Sequence, residues 1–360
     1  MGSVETPRIL DITCKGTPYE IGFTHGSLAK KQVAGSIDFY ASYFQTSSGL
    51  EWPDVRIEAE KFVSLVRENY PRYYEEISGI ADGAGVPFLD VLALNVRSEI
   101  AFGLFSLSGT PMQSDGCTSL AWKTPQDSFI SQNWDWLPAQ RQNLIICRIS
   151  QPGTDLPDFQ MITEAGIIGK IGFNSAGVGC CLNAIRARGL DSSRTPIHFG
   201  LRIALESRSK AEAIFKIKEK GIAASAHLLI GDAEGAVGLE CSHIGFQELH
   251  PDELGRICHS NHYIAQHDNV YEPVWLEDSP ARTARMRELA TANVMSKASL
   301  STIRELYKDE KNLPGAINRK SIGENSLATL FNVVFNLTAK KGLVTMGRPT
   351  EPDEEIVLEF

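Results

Sequence analysis

The chain has 360 residues, 42% hydrophobic and 22% charged, so it can bury a large core in one domain or two. Its formal net charge of −9 and the lack of a basic run argue against nucleic acid and anionic membrane surfaces as partners. Seven cysteines without disulfide-like spacing indicate a reducing compartment. The sequence shows no signal peptide, no apolar run of membrane-spanning length and no C-terminal peroxisomal tripeptide. Together these features predict a cytoplasmic protein.

The first third of the chain is predicted to be mainly helical. A short strand over residues 9–12 precedes a helix with Thr17 as N-cap, Pro18 at the first helical position and Glu20 three residues after the cap. Apolar residues at helical spacing extend this helix to residue 44. Further helices are predicted over residues 52–70, 71–80 and 87–100.

After residue 116 the pattern changes to short apolar runs between turns, which predicts strands. Strands are expected over residues 118–122, 129–134, 144–149, 160–163, 167–173, 178–182, 225–230, 236–241, 257–259, 327–336, 343–346 and 356–360. Helices are expected over residues 196–207, 209–220, 279–292 and 299–307. No composition break marks a second domain. We therefore predict a single domain over residues 1–360, an α+β fold of two sheets covered by helices in four layers.

The switch from helices to strands occurs at Asp115-Gly116-Cys117. We interpret Gly116–Cys117 as a bond that the protein cuts in itself, which would give fragments 1–116 and 117–360. Cys117 would then carry a thiol nucleophile and an α-amine that can serve as the base. Glycine at the preceding position lets the thiol approach the carbonyl, because no Cβ blocks it. An ordinary Asp-Gly turn before a buried strand cysteine would leave the same pattern.

Two polar residues are candidates for the chemistry around Cys117. Asp135 is predicted near the mouth of the strand pair that begins at Cys117, where it could orient the α-amine, although it could equally be a solvated turn residue. Asn261 could donate its amide to a developing oxyanion. The neighbouring residues His259 and His262 leave two other interpretations open, a zinc site and a Cys-His-Asn protease. Against these, no second ligand set has finger-like spacing, and Cys117 precedes a strand rather than a helix.

Several longer runs carry a resemblance to a known family. They are residues 115–118 (DGCT), 132–135 (QNWD), 163–170 (TEAGIIGK), 173–178 (FNSAGV), 202–207 (RIALES), 259–262 (HSNH), 329–332 (TLFN) and 347–350 (GRPT). They resemble the fungal isopenicillin-N acyltransferases (acyl-coenzyme A:6-aminopenicillanic acid acyltransferases), in the choloylglycine-hydrolase branch of the N-terminal-nucleophile hydrolases. The resemblance implies an αββα fold, self-cleavage before Cys117, positioning of the nucleophile by Asp135 and an oxyanion hole lined by Asn261. Asn183 is a secondary candidate of the site.

The resemblance also points to substrate-binding residues and to departures from the family. Trp136 and Leu137 fall where the family has aromatic pocket residues, and Arg319 aligns with a family arginine across a one-residue gap. Ser326, preceded by Asn325, stands where the family has an arginine preceded by serine. A missing guanidinium removes a bidentate anchor for carboxylates.

The mechanism that we expect is acyl transfer from an amide or thioester through an acyl-enzyme on Cys117, with water or an amine as acceptor. Penicillin activity is expected to be weak because of the missing arginine. We expect no cofactor and no metal, with acyl-coenzyme A considered only as a co-substrate. The alternatives left open are an unprocessed homologue that acts as a binding protein and a papain-like cysteine protease.

Overall fold

The computed structural model describes residues 8–101, 116–273, 276–292, 298–323 and 326–360. The predictions made for Asp115 and Asn325 therefore lie outside the described residues, while Gly116 and Cys117 lie within them. In the described ranges, no helix is both long enough and apolar enough to cross a membrane.

Helices dominate the described residues 8–101. They include α1 (Pro18–Leu28), α2 (Lys30–Ser48), α3 (Trp52–Glu60), α4 (Val63–Asn69), α5 (Pro71–Ala84) and α6 (Phe88–Asn95). The predicted capping box is present, since Thr17 accepts a hydrogen bond from the backbone of Glu20 and the Glu20 side chain accepts one from the backbone of Thr17. Glycines bring α1 and α5 into close contact: a Cβ on Gly22 would lie 2.0 Å from the carbonyl oxygen of Glu76.

Three of the predicted helices were wrong in their extent, and the one expected over residues 87–100 is interrupted at Val96, where φ is −116° and ψ is 17°. The helix expected from Thr17 to residue 44 is split at Ala29, whose backbone (φ −105°, ψ 24°) is not helical. The helix expected over residues 52–70 is split into α3 and α4 at Lys61 and Phe62, where the chain turns and buries the Phe62 ring. None of these breaks contains glycine or proline, so apolar spacing alone gave no sign of them.

One sheet has eight strands. They are β1 (Leu10–Lys15), β4 (Leu144–Ser150), β5 (Phe159–Glu164), β6 (Ile171–Asn174), β7 (Gly179–Ala184), β8 (Ala226–Asp232), β9 (Gly235–Cys241) and β10 (Phe246–Leu249), in that spatial order. β1 runs parallel to β4, and the other neighbours are antiparallel. β10 was not predicted. The strand expected over residues 167–173 begins only at Ile171, because Gly166 turns the chain with φ +98°.

The other sheet has six antiparallel strands and contains Cys117. In spatial order they are β11 (Arg256–His259), β2 (Gly116–Lys123), β3 (Ser128–Trp136), β12 (Ala328–Asn336), β13 (Lys341–Arg348) and β14 (Glu351–Glu359). Its central strands face β7, β8 and β9 of the eight-stranded sheet. Ile130 of β3 and Leu337 fill the space beside Gly179 and Gly231, where a Cβ would come within 3 Å of them.

Helices cover the outer face of each sheet. On the eight-stranded sheet these include α2 together with α7 (Ile197–Leu205) and α8 (Lys210–Lys220). On the six-stranded sheet they are α9 (Ser279–Ala292) and α10 (Leu300–Leu306), which enclose a separate apolar cluster with Leu120 and Phe129. The order helix, sheet, sheet, helix confirms the predicted four-layer αββα architecture.

Candidate active site

Cys117 lies at the second residue of β2, near the end of the strand pair. It is fully buried and is paired in register with Trp134, while Gly116 is paired with Asp135. The backbone N–H of Cys117 donates to Oδ1 of Asn261 at 2.9 Å. The hairpin that follows Cys117 therefore brings Asp135 beside the Gly116–Cys117 bond, as the sequence predicted.

Asp135 is the buried carboxylate opposite Gly116. Its Oδ2 accepts from Nε of Arg319 at 3.0 Å, and its Oδ1 accepts from the Thr329 hydroxyl at 2.7 Å. Burial raises the pKa of the Asp135 carboxyl above its ordinary value, although the guanidinium groups of Arg319 and Arg282 oppose the shift. A Cβ on Gly116 would lie 3.0 Å from Oδ2 of Asp135, so the backbone at Gly116 and this carboxylate are close neighbours.

Arg282 is a site residue that the sequence did not reveal. It lies in the first turn of α9 and is almost completely buried. Its Nη1 donates to the carbonyl oxygen of Cys117 at 2.5 Å and to Oγ1 of Thr118 at 3.1 Å, and its Nη2 donates to Oδ1 of Asn261 at 2.8 Å. Nε of Arg282 donates to Asp278 at 2.9 Å, which fixes the plane of the guanidinium. The helix was predicted, but nothing in its spacing marks this arginine as buried.

Arg319, predicted to bind substrate, makes ion pairs within the protein. It donates from Nε to Asp135 at 3.0 Å and from Nη2 to Asp278 at 2.6 Å. Burial acts to raise the pKa of Asp278, but the charges of Arg282 and Arg319 outweigh it and hold the pKa below its ordinary value. Two arginines and two aspartates thus form one network around Gly116–Cys117, in which Asp278 is partly exposed and the other three side chains are buried. Their formal charges cancel.

Asn261 is held in one orientation by its partners. Its Oδ1 accepts from both Cys117 N–H and Arg282, and its Nδ2 donates to the carbonyl oxygen of Ala184 at 3.0 Å. The Asn261 backbone N–H donates to the Ser279 hydroxyl at 2.7 Å. If the Asn261 carboxamide were flipped, its NH₂ group would face the N–H donors of Arg282. The hydrogen-bond network therefore determines the orientation of the carboxamide. The carboxamide oxygen therefore faces Cys117, and the oxyanion role stays a prediction.

Asn183, the secondary candidate, lies on β7 opposite β2. Its Oδ1 accepts from the Ser119 hydroxyl at 2.7 Å and contacts Nδ1 of His227 at 2.8 Å. Its Nδ2 is buried and has no hydrogen-bond partner among the residues that the structure describes. Asn183 thus contacts β2 at Ser119, two residues after Cys117.

The predicted substrate-binding residues lie in two places. Trp136 is buried in an aromatic group, with ring centroids 5.3 Å from Tyr43, 6.1 Å from Phe39 and 6.4 Å from Trp134. Leu137 is half-buried and packs against the same core. Ser326 lies in the loop before β12, where its hydroxyl bonds the hydroxyl of Ser321 at 2.7 Å and accepts from the backbone of Ile322 and Gly323.

The histidines of the protease alternative are engaged with other groups. Nε2 of His259 lies 2.8 Å from Glu240, and Nδ1 of His262 lies 2.7 Å from the Ser279 hydroxyl. Burial and the charge of His259 lower the pKa of His262 to about 4. Among the described residues, no group of three or more His, Cys, Asp or Glu side chains is arranged to hold a metal ion.

Two of the comparisons with known proteins indicate the same family. A model of the family described as acyl-coenzyme A:6-aminopenicillanic acid acyl-transferase matches residues 122–351. The acyl-coenzyme A:6-aminopenicillanic-acid-acyltransferase 40 kDa form of Emericella nidulans is 41% identical over 355 residues, 98% of this chain and 96% of that protein. A β-alanyl-dopamine/carcinine hydrolase of Drosophila melanogaster is 24% identical over 226 residues, 59% of this chain and 57% of that protein. A mutant conjugated bile acid hydrolase from Clostridium perfringens superposes with a TM-score of 0.46 and 13% identity, over 68% of this chain and 92% of that chain.

Proposed function

Because the chain belongs to the acyl-coenzyme A:6-aminopenicillanic acid acyl-transferase family, we propose that it is an enzyme that cuts itself before Cys117 and then carries acyl groups on that thiol. One observation supports this most directly. The Gly116–Cys117 peptide is buried against Asp135 and is enclosed by Asn261 and Arg282. A structural strand cysteine would not need this set of polar groups.

The self-cleavage step uses the thiol of Cys117 and the carbonyl of Gly116. Sulfur attacks the carbonyl carbon and the C–N bond breaks as the thiol proton passes to the leaving nitrogen. The acyl group of Gly116 becomes a thioester and the nitrogen becomes the amine of Cys117. Water then hydrolyses the thioester, which leaves a carboxylate on Gly116 and a free thiol on Cys117. The absence of a side chain on Gly116 leaves the carbonyl open to the thiol.

In turnover, the new α-amine of Cys117 is the base. Its nitrogen occupies the position now held by the amide N–H, 2.9 Å from Oδ1 of Asn261. The guanidinium of Arg282 donates to the carbonyl oxygen of Cys117. Its fixed positive charge disfavours protonation of the nearby Cys117 amine. The amine is therefore kept neutral and takes the thiol proton as sulfur attacks the substrate carbonyl. The acyl-enzyme passes its acyl group to water or to an amine.

An intact-mass measurement tests the self-cleavage. From the chain mass of 39.5 kDa, fragments of 116 and 244 residues should weigh about 12.7 and 26.8 kDa. Cys117→Ala should remain one chain. Cys258→Ala, which removes another buried cysteine on the neighbouring strand β11, should be cleaved normally. Active protein that is never cleaved at Cys117 would overturn the proposal in favour of an unprocessed protein.

For the substrate, we propose an uncharged amide or thioester rather than an anionic penicillin. Both site arginines are already paired with aspartates, so Arg319 does not replace the arginine that is missing at Ser326. Isopenicillin N and 6-aminopenicillanic acid are carboxylates. A charge-assisted hydrogen bond to a carboxylate contributes about 1.5–3 kcal/mol, or one to two orders of magnitude in affinity. The family name and the Drosophila hydrolase support acyl transfer and hydrolysis as the two outcomes.

The substrate proposal is tested by kcat/KM for hydrolysis of isopenicillin N and of small uncharged amides. The wild type should prefer the uncharged amides, and Ser326→Arg should gain about 10- to 100-fold on isopenicillin N. Gln126→Arg places the same charge on the exposed turn between β2 and β3, at the end of the hairpin opposite Cys117, and is the control. Efficient wild-type turnover of isopenicillin N with no gain in Ser326→Arg would contradict the substrate proposal and support an ordinary penicillin acyltransferase instead.

A further inference from the structure

A buried carboxylate outside the network around Cys117 holds the chain segment that carries Asn261. Glu240 on β9 is fully buried. Its Oε1 accepts from Nε2 of His259 at 2.8 Å and from the backbone N–H of Ile264 at 2.6 Å. Its Oε2 accepts from the backbone N–H of Ala265 at 3.0 Å and from Nε2 of His267 at 3.2 Å. Four donors from one nine-residue segment therefore converge on a single carboxylate.

The four donors lie on both sides of Asn261 in the chain. His259 comes two residues before Asn261, and Ile264 comes three residues after it. Fixing these two points fixes the turn between them. At that turn, Oδ1 of Asn261 meets the Cys117 N–H at 2.9 Å. A shift of the segment would lengthen this hydrogen bond, which is directional and weakens steeply with misalignment.

The charge on Glu240 is held in place by its donors. Burial alone would raise the pKa of its carboxyl, but the hydrogen bonds from His259, His267 and the backbone of Ile264 hold the pKa well below its ordinary value. An ionised carboxylate accepts from all four donors, whereas a protonated one would bring an O–H against one of them. The anion is therefore the form that fits this segment.

A second set of contacts ties the same segment to the strand of the nucleophile. The His259 ring stacks on the His227 ring, with centroids 3.7 Å apart and planes 12° apart. Nδ1 of His227 lies 2.8 Å from Oδ1 of Asn183, which accepts from the hydroxyl of Ser119. Ser119 is paired with His259 across β2 and β11. The segment of residues 259–267, which Glu240 holds, is thus joined to the start of β2 through both backbone and side-chain contacts.

We propose that Glu240 is a positioning residue for Cys117, acting through Asn261. The proposal rests on the proposed function of Cys117 and adds to it a residue that lies outside the reacting groups. Glu240 keeps the carboxamide oxygen of Asn261 on the nitrogen of Cys117, first as the peptide N–H and later as the catalytic amine. Both self-cleavage and turnover then depend on it.

Glu240→Gln is the first test. It keeps the shape of the side chain but replaces one acceptor oxygen by an NH₂ that faces donors. We expect self-cleavage and kcat to fall about 10- to 100-fold with KM unchanged, because a hydrogen bond to a charged group is lost. Glu99→Gln is the matched control. Glu99 is also a fully buried carboxylate that accepts a backbone hydrogen bond, from Ile197 at 2.7 Å. The kcat of the Glu99→Gln variant should equal that of the wild type.

A double-mutant cycle separates positioning from general packing. If Glu240 acts through Asn261, then Glu240→Gln should have little further effect on kcat in an Asn261→Ala background. If Glu240 only stabilises the fold, the two losses should multiply, which would overturn the proposal. Should Glu240→Gln fail to fold, His267→Ala removes only the longest of the four hydrogen bonds and should show a smaller loss with the same coupling.

Amide hydrogen exchange at residue 117 gives a readout that does not need activity. In the uncleaved Cys117→Ala chain, the residue 117 N–H should exchange slowly, and adding Glu240→Gln should speed its exchange about 10-fold or more. Exchange that is unchanged by Glu240→Gln would overturn the positioning role. A wild-type chain that never cuts itself would overturn the proposed function instead, and the exchange result would still decide the role of Glu240.

Discussion

Adding one methyl group at Gly116 separates self-cleavage from turnover. In Gly116→Ala the new Cβ would lie 3.0 Å from Oδ2 and 3.3 Å from Cβ of Asp135, and 3.1 Å from Nε of Arg319. Ordinary contacts of this kind are 3.4–4 Å. The methyl group must therefore push the buried ion pair of Asp135 and Arg319 by a few tenths of an ångström.

The expected magnitude follows from that crowding. Overpacking a closed site typically costs about 1–3 kcal/mol. If the cost falls on the transition state for attack at the Gly116 carbonyl, cleavage slows about five- to 150-fold. After cleavage, Gly116 is no longer bonded to Cys117. The kcat of the matured enzyme toward substrate should then be close to that of the wild type.

The assay is the time course of the two fragments after synthesis of the chain, followed by kcat of the fully cleaved fraction. Gly245→Ala is the control, because a Cβ there would meet no atom of the described residues within 4 Å. Cleavage of Gly116→Ala at the wild-type rate would refute the reasoning, since it would mean that cleavage does not occur in the geometry seen here.

Three further variants test other contacts of the site and fold. Asn261→Ala should lower kcat by about 10²–10³ if Asn261 also lines the oxyanion hole, with the circular dichroism spectrum unchanged; normal turnover would remove it from the mechanism. Arg282→Lys keeps the charge but cannot bridge Cys117, Asn261 and Asp278 at once, so cleavage should slow about 10-fold or more, as followed by intact mass. His25→Gln should reduce the pH dependence of stability. Burial lowers the pKa of His25 to about 4, and its Nε2 accepts from the backbone of Gly166, so between about pH 6.5 and 4 only the unfolded chain binds the extra proton. In urea unfolding, the wild type should therefore lose about 1 kcal/mol more than His25→Gln between pH 7 and 5.5, and an equal loss in both would contradict the assignment.

The positions of most strands could be predicted because their signals are local. Apolar runs separated by turn residues gave most strands of both sheets, and Thr17 with Glu20 gave the first helix. The errors have a tertiary cause. At Ala29 the chain leaves the helical conformation without a breaking residue, and Gly169 passes helix α7 so closely that a Cβ would lie 2.3 Å from the His198 carbonyl. The spacing of apolar residues in the sequence does not indicate such contacts.

The site could be predicted only where its residues are close in sequence or carry a motif. Cys117 and Asp135 share one hairpin, so their proximity followed from two neighbouring strands. Arg282 is 165 residues from Cys117 and looks like any arginine on a helix, so only the packing of α9 on β2 reveals it. Arg319 was expected to bind a substrate carboxylate, but its described partners include the two site aspartates.

The packing of the first helices also suggests why the two fragments should stay together if the chain is cut before Cys117. The new α-amine of Cys117 keeps Oδ1 of Asn261 as a partner, whereas the new carboxylate of Gly116 would lie beside Asp135, whose charge is already paired with Arg319. The carboxylate should therefore move away from the site, because like charges repel. Separation of the fragments would expose the apolar faces of α1 to α6, which share one apolar core with both sheets. Association should therefore be retained, because the apolar core and not the cut peptide holds the fragments together.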